Sequence, residues 1–201
     1  NNAWGLSGIG WTSVSGGDTI WLAGGSYSDS LSIQKSGSAG NYIYIKRVRS
    51  TDSTPTAAAG WSSGFDSQVI VAPANGIPCY WGGVSGLGSD IYIYARIDSG
   101  ISFRLANVSQ NDFSYPGAVY FGSAVNGTHH VTLANLEMAG PIPVGTSPAY
   151  YGNSYLCALT FRGGPSSGSG IFVTDITVTG CRLHGAFNLV LLVGVQRAVF
   201  E

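Results

Sequence analysis

The sequence predicts an all-β chain folded as a parallel β-solenoid, and three observations carry that reading. Residues 17–48 (GDTIWLAGGSYSDSLSIQKSGSAGNYIYIKRV) hold three short apolar runs, at 19–22, 31–33 and 43–45, with Gly/Ser/Asn-rich turns between them and no helical period. Short β-runs bounded by turn residues are strand signals. The segment 131–140 (VTLANLEMAG) recurs as 176–185 (ITVTGCRLHG), with apolar residues matched at Val131/Ile176, Leu133/Val178, Leu136/Cys181 and Met138/Leu183. A second series of β-rich runs begins at Cys79, Ala118, Cys157 and Leu189, with starts about 30 to 40 residues apart. A unit of this kind cannot bury its inward face alone, so it must stack on copies of itself.

Taken in order, the opening runs 19–22, 31–33 and 43–45 form the first coils, and 17–48 is the start of the stack. The loop 50–66 leaves the coil before the run at Cys79. Residues 91–100 (IYIYARIDSG) are a looser copy of the 131–140 repeat. After the loop 109–116 come the run at Ala118 and the repeat at Val131, which reads as two short strands broken by a corner at Asn135. The loop 140–155 precedes the run at Cys157, the repeat at Ile176 and the run at Leu189. Residues 197–201 align with the middle of a strand, so the chain is expected to stop inside a coil. An apolar sheet end over 189–200 would then be open, and the polypeptide is expected to continue past Glu201 or to meet a stacking copy there. The whole of 1–201 reads as one domain, with opening coils 1–48 and stacked coils with loops over 49–201.

Composition narrows the function classes. Charged residues make up 9% of the 201 residues, against about 25% in an average soluble domain. Thirty glycines and abundant Ser, Thr and Asn build the polar surface from hydroxyls, amides and backbone. A net charge of −1 supplies no basic stripe to neutralise phosphates, which argues against a nucleic-acid partner. No run of 18 apolar residues occurs, so no membrane span is expected; the longest stretch, 189–195, has strand length. Low charge with 12% aromatics fits an extracellular protein that faces carbohydrate. Asn107 and Asn126 open N-x-S/T sequons and are glycosylation candidates, although such triplets also arise by chance in a Ser/Thr-rich chain.

The opening motif GDTIWLAGGSY, followed by LSIQKSGSAGNYIYIK, resembles the start of pectate-lyase-like right-handed parallel β-helix proteins, over about 30 residues. The rest of the chain resembles them through its repeat texture. The resemblance implies a right-handed parallel β-helix. It also implies a polysaccharide partner in the extracellular space or at a virion or cell surface, and calcium enters only by this route. Lyases, hydrolases, tailspikes and adhesins share this form, so the fold does not settle the chemistry.

The candidate residues follow from the chemistry each reaction needs. Elimination on an acidic polysaccharide needs a cation for the uronate carboxylate and a base for the neighbouring carbon's proton. Arg162, Arg182 and His184 are the catalytic candidates, expected beside Asp175 in one groove. Glu137 and Arg182 hold equivalent repeat positions, as do Ala139 and His184, so the alternative is a lateral ion pair on the outer surface. The eight Asp and two Glu are scattered, without the paired carboxylates of a hydrolase or the cluster of a calcium site. His129 and His130 are expected on opposite faces of a strand, which disfavours joint metal binding. Tyr44, Tyr92, Tyr94 and Trp81 are candidates for stacking on sugar rings; the alternative is cover by the 50–66 loop through Trp61 and Phe65. Cys79 and Cys157 are expected two coils apart, at about 9.6 Å, beyond the roughly 7 Å reach of a disulfide. Three unpaired thiols follow. The reading of a different class is a non-enzymatic rod, a structural or adhesive fibre subunit.

Overall fold

A computed structural model describes residues 5–57, 59–81, 93–106, 117–123, 128–142, 156–163 and 173–201. Its strands are β1 (Thr19–Ala23), β2 (Gly25–Tyr27), β3 (Leu31–Ile33), β4 (Ile43–Val48), β5 (Val69–Val71), β6 (Cys79–Trp81) and β7 (Ile93–Arg104). They continue as β8 (Gly117–Ser123), β9 (His129–Ala139), β10 (Cys157–Gly163), β11 (Val173–Thr179), β12 (Arg182–His184), β13 (Asn188–Val193) and β14 (Val195–Phe200). Every pairing between these strands is parallel. The chain is therefore all-β with parallel sheets, as the repeats require.

One sheet runs β1-β4-β7-β9-β11-β14, joined by β2, β5 and β12; the second runs β3-β6-β8-β10-β13. The two repeat series read from sequence each supply one of these ladders in chain order. The larger sheet turns a corner. Residues 131–134 of β9 pair with β11, whereas 137–139 pair with β12, and Asn135 between them has φ 56°. Gly180 stands at the same level with φ 59°. Left-handed backbone at this point swings the strand through a bend without breaking the ladders on either side. Beyond it, β2, β5, the end of β7, the end of β9 and β12 line up as a second face, and the smaller sheet is the third.

Inward alternation fills the space between the faces. Ile45, Leu133, Ile176 and Val178 come from the first, Val69, Val71, Ile101 and Met138 from the second, and Ile33, Val119, Phe121 and Phe161 from the third. All belong to one core cluster. Phe121 and Phe161 stack at 5.6 Å, 15° from parallel, on neighbouring strands. Each such side chain withdrawn from water stabilises the fold by about 1.5–3 kcal/mol, the main return against chain entropy. Beyond the first strand, Leu6 and Trp11 close over the core from two short 3-10 turns. At β13 and β14 the apolar Leu189, Leu192, Val193, Val199 and Phe200 are exposed.

Three expectations change. Residues 25–27, read as a turn, form strand β2 against β5. Cys79 lies level with Val119 and thence Leu159, while Cys157 lies level with Gly117, so the two thiols are offset along the strands. The equal-looking starts of the runs concealed a two-residue shift. None of the three cysteines is joined in a disulfide. Third, the rings of His129 and His130 meet, with centroids 4.9 Å apart. His130 has φ 54°, and that left-handed residue cancels the strand alternation which would have set the rings on opposite faces.

Candidate functional site

The second face carries the main cluster of interacting charges, and strand register builds it. Ser102, Glu137 and Arg182 occupy one outward column on β7, β9 and β12; Arg104, Ala139 and His184 occupy the next. Ala139 is a methyl group between two long side chains, so Arg104 and His184 reach diagonally across it to Glu137. His184 Nε2 lies 3.0 Å from Glu137 Oε1. Arg104 Nη2 lies 3.4 Å from Oε2, Gln68 Nε2 donates to Oε2 at 3.5 Å, and Arg182 Nη1 stands 4.0 Å from Oε1. Below them Ser102, fully buried, donates to Glu137 and accepts from Arg104 Nε at 2.9 Å.

These contacts set the electrostatics. The Ser102 hydroxyl is the largest influence on Glu137 and, against the cost of desolvation, the His184 bond and the Arg104 charge join it in lowering the carboxyl from 4.5 to about 2. Glu137 is thus an anion throughout the neutral range. An ionised carboxylate only accepts, so His184 Nε2 carries the hydrogen and the Nδ1 lone pair is the basic atom of a neutral ring. Two guanidiniums face one carboxylate, leaving a positive surplus; Arg182 is 76% exposed and Arg104 45%. The groove here, about 360 Å³, is lined by Gln68, Ile101, Arg104, Asn135, Glu137 and Arg182. The arrangement can hold an anion and accept a proton.

Arg182 and His184 are thus brought together, and the expected Glu137–Arg182 pair forms. Arg162 is not with them. It lies on β10 between Gly122 and Val193, on the face of the other sheet. Asp175 also lies elsewhere, held by Arg197 at 2.6 and 2.7 Å, with His130 at 3.8 Å. Arg197 is the leading cause that lowers the Asp175 carboxyl from 3.8 to about 2. Among the described residues no group of three or more His, Cys, Asp or Glu side chains is placed to hold a metal ion. Nor is any helix among them long and apolar enough to cross a membrane.

The aromatic candidates divide. Tyr44 is half-buried on β4, beside Tyr42 at 6.1 Å, and the Lys46 ammonium lies 4.7 Å from its ring centre and 5.8 Å from that of Trp21. Tyr94 follows Tyr44 in register, and Trp81 follows Ile33, a core position of the ladder; the side chains of both lie outside the described set. Tyr92, Asn107 and Asn126 also lie outside the described residues. Trp61 and Phe65 meet each other at 5.5 Å, and their loop is tied to the strands by Phe65 O accepting from Gly24 and by the Asp66 carboxylate accepting from Ser50.

Sequence reading missed Ser102, Arg104 and Gln68. The signal was present: 101–104 (ISFR) is a third copy of 136–139 (LEMA) and 181–184 (CRLH). Comparison of the chain with protein-family models, with curated proteins and with solved structures finds no match.

Proposed function

We propose that this chain is a right-handed parallel β-helix that engages an acidic polysaccharide at the Arg104–Glu137–Arg182 groove, beside His184, and cleaves it by β-elimination. Right-handed coiling follows from the handedness of parallel crossover connections, which holds in nearly all sheets. The observation that carries the activity is one imidazole oriented by a carboxylate that two exposed guanidiniums also face. Arg182 and Arg104 neutralise the uronate carboxylate, which acidifies the adjacent carbon. His184 Nδ1 takes the proton from that carbon. The C–H electron pair becomes the new double bond, the glycosidic C–O bond breaks, and the departing oxygen is protonated by water. Glu137 holds the ring and stabilises the imidazolium so formed. Low charge and abundant hydroxyl groups support an extracellular setting.

The competing reading is the non-enzymatic rod. One observation favours it: Glu137 is already satisfied by its own neighbours, as expected of a surface ladder. Incubation with pectin, alginate and glycosaminoglycan decides between them. Unsaturated uronide ends that appear with wild-type protein and vanish with His184→Ala support the lyase. No turnover on any of the three overturns it and leaves the rod.

A further inference from the structure

A second cleft lies on a different face, between the first 3-10 turns and the outward side of β3 and β6. Its volume is about 600 Å³, and its polar lining includes Ser7, Thr12, Asp29, Ser32, Gln34 and Tyr80. Ser32 alternates with the buried Leu31 and Ile33, so it faces outward, and Tyr80 is its partner in register on β6. Leu6 and Trp11 anchor the opposite wall in the core. The cleft is thus held between two fixed elements, and its volume suits one or two sugar rings.

We propose that this cleft binds a neutral pyranose. Among the described residues of the lining Asp29 is the one charged group and no cation stands with it, so an anionic sugar is repelled. Its Oδ2 accepts from Ser7 Oγ at 2.7 Å, which fixes the carboxylate and leaves Oδ1 without a partner among the described residues. The chain also passes close behind it, since a Cβ on Gly5 would sit 3.0 Å from Oδ2. A fixed carboxylate oxygen is a strong acceptor for a sugar hydroxyl. Ser32, Gln34 and Thr12 supply further donors and acceptors. The Tyr80 ring supplies a flat apolar face for the ring C–H groups, which a hydroxyl-rich ligand with one apolar side requires.

The test is calorimetric titration of the full chain with cellobiose, maltose and lactose. At least one is expected to saturate, with affinity reduced about tenfold or more in Asp29→Asn, the loss of one charge-assisted hydrogen bond. Tyr80→Ala is expected to lose as much, while Tyr80→Phe retains the stacking face and stays within about threefold. Amide shifts of the wild-type protein at Ser32, Gln34 and Tyr80 on addition of cellobiose, maltose or lactose report the site without any variant. No binding of the three disaccharides, shifts confined elsewhere, or affinity untouched by Asp29→Asn overturns the proposal. The elimination assay uses acidic polymers and residues of another face, so the two failures are distinguishable.

Discussion

Glu137 and His184 stand 47 positions apart in sequence, yet His184 Nε2 lies 3.0 Å from Glu137 Oε1. Parallel pairing of β9 with β12 brings them together, and the small Ala139 leaves the diagonal open. That single contact decides which atom of His184 is basic, and the proposed chemistry depends on it.

Loss of the base should show in turnover, not in folding. His184→Ala is expected to lower the rate of uronide elimination by about 10²-fold or more, the usual contribution of a positioned base. Its thermal midpoint should move little, since surface ion pairs contribute about 0–1 kcal/mol. Glu137→Gln should also reduce turnover, because the ring loses its anionic partner. Steady-state kinetics across pH would measure both. A rate unchanged in His184→Ala removes this residue as the base.

Acid should weaken the fold through two carboxylates. Glu137 is held at about 2 against an ordinary 4.5, and Asp175 at about 2 against 3.8. Both are depressed, so their stabilisation is complete above the ordinary values and is lost as pH falls towards about 2. Urea midpoints measured between pH 5 and pH 2 should decline over this window in wild-type protein. Glu137→Gln, lacking one of the two groups, should decline less steeply.

The corner of the larger sheet should resist a side chain at Gly180. Its φ is 59°, and an added Cβ would press on the Asn135 side-chain oxygen. Gly180→Ala therefore carries left-handed strain, while the Asn135 amide can swing aside, and should cost about 1–2 kcal/mol. Asn135→Gly, at φ 56°, removes strain while losing a side chain and should fall within about 1 kcal/mol of wild type. Denaturant titration of the two variants checks the contrast.

Thiol reactivity should follow burial. Burial pushes the Cys79 thiol far up, whereas Cys181 is half-buried and bonded to the Leu133 and Thr179 carbonyls. A thiol-alkylating reagent on the native protein should label Cys181 first and leave Cys79 for the unfolded state. Mass spectrometry of the digested protein would show the order. Early labelling of Cys79 would mean that the core under β6 opens readily.

Much of the fold is legible in the sequence. Strand alternation has period two, so the apolar residues of 131–140 and 176–185 mark their inward faces, and equal spacing marks equal positions in the stack. From this came the two ladders, the corner at Asn135 and the Glu137–Arg182 pair. Legibility failed where one residue departs from the period. At His130 a left-handed φ joins two rings that alternation separates, and at Cys79 a two-residue offset moves the thiol off the level of Cys157.

The repeats alone require an all-β chain with parallel strands, because only stacking buries the inward residues of such short strands. Tertiary structure alone decided who shares a face. Arg162 joins the other sheet, while Ser102, Arg104 and Gln68 gather on Glu137. Loops of unequal length separate the coils, and a shift of one residue in register sends a side chain to the opposite side of its sheet. The charged groove and the Asp29–Tyr80 cleft are products of that register.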